Sequence, residues 1–386
     1  MFFLIIISFI LAFYLGIRVI VPLSIGILPK IILFLVILAI AMKNFIIGKF
    51  FGGLSSPVMP PAGLLIAGWL YAAFIFFVVL QLLRDVLIFL TWILHKAGLN
   101  VFFPFSNGFW AITLTIAAIL LSGCGVWQGT RNPDIKSTEI EIPGLPAELD
   151  GLSIVQLSDI HISSLLRKER TEAIVQASNF LRPDLVFITG DIVDGQVADR
   201  KEDTLPLKDL RANYGVYACT GNHEHYSDFW GWKKEITQMG ITILMNQSVV
   251  IQIKNQPVVI AGVFDPVAEQ FGQPAPNPQA ALAGMPKNAF KILLAHQPKL
   301  APLGAAAGFD LQLSGHTHGG QIFGLNLLVG AFNESYIYGI YRIDSMIMYV
   351  SSGAGLWNGL PIRLGMPAEI SHLILRAKPG LNQAAH

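Results

Sequence analysis

Four apolar runs in the first third of the chain limit what it can fold into more than any other feature. Residues 1–21, 31–47, 62–83 and 108–127 are nearly free of charge, and each approaches the roughly 20 residues that a helix needs to cross a bilayer. Only structures that satisfy their own backbone hydrogen bonds survive in hydrocarbon, so these runs read as helices. The first run lacks a basic start, and no small-residue cleavage site precedes the second, so it reads as a membrane span rather than a removed leader. Trp110 and Trp127 stand at the ends of the fourth run like interface anchors. Leu121-Ser122-Gly123-Cys124 has the look of a lipoprotein box, but lies too far along the chain, and small-residue helix packing accounts for it better.

Composition enters here because it is lopsided. The chain of 386 residues is 53% hydrophobic and 13% charged, high and low for a soluble globular protein. Across residues 1–127, Arg18, Lys30, Lys43, Lys49, Arg84 and Lys96 face only Asp85, a local net of +5, which leaves −4 for the remainder if the whole is +1. A basic membrane module joined to a mildly acidic second module fits this split. The second part carries no basic stripe with interleaved aromatics, so nucleic acid is not expected as a partner. The chain contains two cysteines, too few for a disulfide framework. Four spans would put the N-terminus and the second module on one side. Lys43, Lys49, Arg131 and Lys136 on that side balance Arg18, Lys30, Arg84 and Lys96 on the other, so charge leaves the orientation open.

From residue 128 the pattern changes. Residues 128–150 read as a linker, broken by Asn132-Pro133, Pro143-Gly144 and Pro146, with strand character over 137–142. Beyond Gly151, short apolar strands alternate with helical segments. Strands are expected at 153–157, 185–189, 216–218, 242–244, 258–261, 291–294, 311–313, 346–350 and 372–375, and helices at 168–181 and 229–239. This is a layered α/β domain.

Five of those strands end in residues that carry chemistry. Leu157-Ser158-Asp159-Ile160-His161 follows the first. Thr189-Gly190-Asp191 and Thr220-Gly221-Asn222-His223-Glu224 follow the next two. His296 and Ser314-Gly315-His316-Thr317-His318 follow two later ones. On an extended backbone Asp159 and His161 would share one face and could reach one ion. Each motif singly has a bland explanation: a Gly-Asp turn, an Asn222 helix cap, a surface His296. Ligands of open α/β sheets gather outside the carboxyl ends of strands, so the five together would converge. Imidazole and carboxylate donors suit Mn, Fe or Zn. Asp194 and His225 are expected to be solvated loop residues.

These motifs, in this order, resemble the calcineurin-like metallophosphoesterases over residues 151–376. Ala295-His296-Gln297-Pro298, His318-Gly319-Gly320-Gln321, Pro361-Ile362-Arg363 and Pro367-Ala368-Glu369-Ile370 resemble a membrane-attached subgroup that includes animal transmembrane proteins with a metallophosphoesterase domain. The resemblance implies a transmembrane region over 1–127 and, over 151–378, a four-layer αββα metallophosphoesterase sandwich. It implies two divalent ions, manganese first and iron or zinc as alternatives. Asp159, His161 and His318 would hold one ion and Asn222, His296 and His316 the other, with Asp191 bridging. It also implies a multi-pass protein of the inner (cell) membrane with its catalytic domain on the cytoplasmic side. Two ions can share and aim a hydroxide at phosphorus. His223 has no ligand role in that pattern and is the candidate for protonating the leaving group.

The substrate is expected to be a lipid-linked phosphodiester or pyrophosphate. Residues 322–341 are rich in Phe, Leu, Ile and Tyr and read either as ordinary core strand and hairpin or as an apolar lip beside the site. Related enzymes split the pyrophosphate of UDP-2,3-diacylglucosamine. The alternatives are a phosphomonoesterase, a small-nucleotide phosphodiesterase, or a metal-retaining binding module without turnover.

Overall fold

The computed structural model describes residues 2–53, 57–103 and 106–377. Met1 and Lys378, the outer limits of the two expected domains, lie outside them. The chain forms two compact units, Met1–Gln128 with Asn358–Ile362, and Gly129–Trp357 with Arg363–His386.

The first unit is helical. It contains α1 (Phe2–Leu15), α2 (Ile27–Ala41), α3 (Lys43–Phe50), α4 (Pro61–Lys96) and most of α5 (Asn107–Thr130). α4 and α5 are each long and apolar enough to cross a membrane, and α2 with α3, bent by 60° at their junction, meet that measure as a pair. α1 continues as a π-turn to Ile20 and forms a shorter apolar helix. The third apolar run and the stretch after it are one helix of 36 residues that continues through Arg84-Asp85. Asp85 explains why the helix runs on through charge. It accepts hydrogen bonds from Tyr14 Oη (2.7 Å), Arg18 Nη2 (2.8 Å) and Gln81 Nε2 (2.9 Å), the internal pairing that a charge in apolar surroundings requires.

Among the described residues the second unit holds twelve strands: β1 (Asp134–Ile142), β2 (Ser153–Leu157), β3 (Leu185–Thr189), β4 (Val216–Cys219), β5 (Thr242–Ile243), β6 (Gln247–Ile253), β7 (Gln256–Gly262), β8 (Phe290–Leu294), β9 (Leu311–Ser314), β10 (Gly339–Ile343), β11 (Met346–Val350) and β12 (Glu369–Ala377). They make two six-stranded sheets, ordered β1-β12-β2-β3-β4-β5 and β10-β11-β9-β8-β7-β6. The strand-like stretch ahead of Gly151 is thus an edge strand, paired in parallel with β12 over its whole length.

Side-chain alternation builds the layers. Leu185 and Phe187 of β3 enter an inter-sheet core with Ile260, Ile292 and Leu313 of the other sheet. Val186 and Ile188, one residue out of step, face a second core closed by Ile174 of α6 (Lys168–Phe180) and by Trp232 and Ile236 of α9 (Phe229–Gln238). The other sheet's outer face packs on Ala281 of α10 (Pro278–Ala281) and Ala301 of α11 (Ala301–Ala307). Helix, sheet, sheet, helix is the expected four-layer sandwich. Each fully buried aliphatic or aromatic side chain contributes roughly 1.5–3 kcal/mol, so the layers are held by many small terms. Between α6 and α9 lie α7 (Val197–Thr204) and the single turn α8 (Asn222–Tyr226), and α12 (Asn326–Ala331) precedes β10.

Candidate active site

All eight residues singled out from the sequence are brought together. They follow β2, β3 and β4, neighbours in one sheet, and β8 and β9, neighbours in the other. The turns that carry them are unusual. Asp159 (φ 49°), His161 (φ 47°), Asp191 (φ 51°), His316 (φ 71°) and His318 (φ 50°) all occupy the left-handed region, at roughly 1–2 kcal/mol per residue. Strain of this kind clusters at functional sites and persists only where the surroundings over-determine it. It also corrects the expectation for Asp159 and His161. They converge because the chain curls after β2, not because they lie two apart on an extended strand.

Close packing holds the curls in place. A Cβ on Gly190 would come within 2.6 Å of Gly221 N, and one on Gly315 within 2.2 Å of Asp159 Oδ2. Glu224, buried, accepts from the amides of Asp191 (3.1 Å), Ile192 (2.6 Å) and Gly221 (2.7 Å), tying the turn after β3 to the turn after β4. Its position three residues after Gly221 is the capping-box spacing, the signal by which the sequence could have shown it.

Besides a group of His161, Asp194 and His223, two clusters emerge. In one, donor atoms of Asp159, His161 and His318 lie within 4.8 Å of one another, and in the other those of Asp191, His296 and His316 do. The two meet at Asp191, whose Oδ2 stands 3.2 Å from His296 Nε2 and 3.8 Å from His161 Nε2. His161 Nδ1 faces Asp194 Oδ1 at 2.9 Å and His296 Nδ1 faces the Thr189 carbonyl at 2.8 Å. Both partners only accept, so each Nδ1 bears a proton and each ring turns Nε2 inward. Those Nε2 atoms meet further nitrogens, His161 Nε2 to His318 Nε2 at 3.2 Å and His296 Nε2 to His316 Nδ1 at 3.3 Å. Asn222 Oδ1 is buried and accepts no hydrogen bond from the described residues. Inward imidazole nitrogens, carboxylate oxygens and an orphaned amide oxygen are a donor set that fits divalent cations with N/O preference.

Asp194 is the residue that sequence reasoning missed. It is 1% exposed, because its backbone amide bonds the Ile162 carbonyl at 2.8 Å and draws the loop inward. Oδ1 takes both His161 Nδ1 and, at 2.7 Å, His223 Nδ1. One carboxylate therefore orients a ligand candidate and the candidate acid. His223 is buried, which disfavours its cation, yet Asp194 and Asp191 push its pKa up to about 9. Burial alone would raise the Asp191 carboxyl, but the imidazoles of His296 and His223 hold it well below the usual range. His225 is also buried rather than solvated, stacked on Phe229 with centroids 4.4 Å apart. Arg363, fully buried, donates to the carbonyls of Ser352 (2.7 Å) and Gly355 (2.9 Å) and lies 3.1 Å from His318 Nδ1.

The chain is similar in sequence to known proteins. Residues 152–320 match the family model described as calcineurin-like phosphoesterase. An uncharacterized metallophosphoesterase of Helicobacter pylori (strain ATCC 700392 / 26695) is 38% identical over 262 residues, 67% of this chain and 68% of the relative. The transmembrane protein with metallophosphoesterase domain of Danio rerio is 34% identical over 274 residues, 69% of this chain and 62% of the relative. The uncharacterized metallophosphoesterase YkuE of Bacillus subtilis is 31% identical over 253 residues, 63% of this chain and 86% of the relative. With its fold, its paired donor clusters and these relatives, the chain belongs to the calcineurin-like metallophosphoesterases, metal-dependent hydrolases of phosphoesters.

Proposed function

We propose that the chain is a multi-pass membrane enzyme that hydrolyses a phosphodiester or pyrophosphate bond of a lipid-linked substrate at a two-ion centre. The observation that carries the two-ion reading is Asp191 Oδ2, standing between Nε2 of His296 and Nε2 of His161. Asp159, His161 and His318 would hold one ion, Asn222, His296 and His316 the other, and Asp191 both. Manganese is the first choice and iron or zinc the alternatives, given these donors. When bound, such ions polarise phosphoryl oxygens and acidify a water. The protein's own residues do the rest. Asp194 fixes the Nδ1 proton of His223, so the ring presents Nε2 as the site from which a proton reaches the leaving oxygen. The same carboxylate fixes His161 with its Nε2 lone pair free for an ion.

The lipid part rests on the segment after His318. Phe323 (89% exposed), Leu327, Leu328 and Phe332 (82%) stand in solvent around α12. Apolar side chains grouped this way mark a lipid or ligand surface more often than idle surface. A cytoplasmic placement of the catalytic unit in the cell membrane completes the proposal, and cysteine labelling of Lys254→Cys in intact cells tests that side.

Detergent-solubilised protein with Mn²⁺ and bis-p-nitrophenyl phosphate tests the chemistry. Metal-dependent release abolished by chelation is expected, and its absence would favour a binding module. Matched phosphodiesters with and without acyl chains test the substrate. Equal turnover of both would sink the lipid reading and favour small phosphoesters.

A further inference from the structure

The chain passes between its two units after Gln128, after Trp357 and after Ile362. The last passage returns it at Arg363. The first lies against the same residue, since a Cβ on Gly129 would come within 3.2 Å of Arg363 N and 3.1 Å of Leu356 Cδ1. Inside the second unit, the buried Arg363 guanidinium binds the carbonyls of Ser352 and Gly355. It also reaches His318 twice, the carbonyl from Nη1 at 3.4 Å and Nδ1 from Nη2 at 3.1 Å. The loop it holds clasps the turn after β2. Ala354 N donates to Ser158 O and Gly355 N to Asp159 O, each at 2.8 Å, and a Cβ on Gly353 would lie 2.7 Å from Asp159 Cβ. Arg363 thus supports Asp159 and His318. Among the described residues, none of its hydrogen bonds reaches Asp191, His296 or His316.

Residues 358–362, in the middle of that loop, belong to the first unit and are pinned inside it three times. Buried Lys43, at the start of α3, donates to the carbonyls of Gly359 (3.0 Å) and Asn358 (3.4 Å). Leu360 packs against the helical core that contains Ala12, Tyr71 and Phe74. Gly68 of α4 leaves no room for a Cβ beside the Pro361 ring. A flexible linker would suffice to keep two units together. A chain fixed at 358–362 and resumed at Arg363 instead limits where the guanidinium can stand. Its planar fork of donors passes that limit to each carbonyl it holds.

We propose that Arg363 is a positioning residue through which the packing of the first unit sets the ion site at Asp159, His161 and His318. The apolar helices are then scaffold for one half of the metal centre, and the other half is independent of them. The inference rests on the two-ion reading.

Mn²⁺ titration of detergent-solubilised, full-length protein tests it in two backgrounds that each keep one site. His296→Ala keeps the Asp159 site, and His318→Ala keeps the other. Gly68→Leu and Lys43→Gln are added to each background. In His296→Ala, each weakens Mn²⁺ binding about tenfold or more, the lower end of what losing support for a ligand costs. In His318→Ala, neither changes the affinity. Arg363→Lys, which keeps the charge but not the fork, gives the same selective loss, and Lys43→Arg, which keeps the cation, gives none. Unchanged affinity at the Asp159 site with both Gly68→Leu and Lys43→Gln, or equal loss at the two sites, overturns the proposal. Wild type that takes up fewer than two ions overturns the two-ion reading and this inference with it, a result distinct from two ions held with unaltered affinity.

Discussion

A single oxygen, Asp194 Oδ1, receives both His161 Nδ1 and His223 Nδ1. Under the proposed assignment, one carboxylate sets the tautomer of a ligand and of the acid together. Substituting His223 by Ala is expected to leave bound metal unchanged and to lower kcat by about 10²–10⁴-fold, the usual share of a general acid. Elemental analysis beside kinetics checks this, since metal loss would make His223 a ligand instead. Asp194→Asn keeps one acceptor for two imidazoles. It is expected to cost about 10–100-fold in activity with some loss of metal affinity, as for other carboxylates that orient metal-bound histidines. Asp159, His161, Asp191 and the paired histidines were legible in the sequence because each follows a strand and a turn residue. Asp194 was not, because nothing local announces that its loop folds inward.

At the scale of elements, the site depends on turns too tight for any side chain. The Cβ of an alanine at position 221 would lie 2.2 Å from Asp191 Oδ1 and 2.4 Å from Asp191 N. Backbone would have to move, and overpacking of this kind costs about 1–3 kcal/mol. Gly221→Ala is therefore expected to lower the melting temperature and to weaken metal binding at once. Calorimetric melting and metal titration of the same sample decide whether the two effects travel together. Strands and the two long helices of the second unit were legible from apolar runs and periodicity, within a residue or two for most. β6 and β10 were not, since Gln247 to Ile253 and Gly339 to Ile343 lie largely open to solvent on one face and carry a weaker apolar pattern.

Over the whole second unit, the edge strand β1 is joined to β2 through β12. His372 of β12 bridges them, with Nδ1 3.0 Å from Ser137 Oγ and Nε2 3.0 Å from Ser153 Oγ. Burial lowers its pKa below the ordinary 6.5. The unfolded chain then binds a proton more readily than the folded one, so this contribution is present above about pH 6.5 and is lost as pH falls below it. Melting temperatures measured from pH 7.5 to 5 are expected to fall, and to fall less steeply for His372→Gln. Equal slopes for the two proteins would remove His372 from the account.

The sequence by itself determined which segments are apolar helices, which are strands, and which residue types follow each strand, because hydrophobic period and turn chemistry act locally. Only the tertiary structure decided that two sheets stack so that the ends of β2, β3, β4, β8 and β9 meet. It also decided that left-handed turns aim their side chains inward and that Asp194 and His225 are buried. Those outcomes depend on contacts between residues tens of positions apart, whose register is set by packing of the layers as a whole.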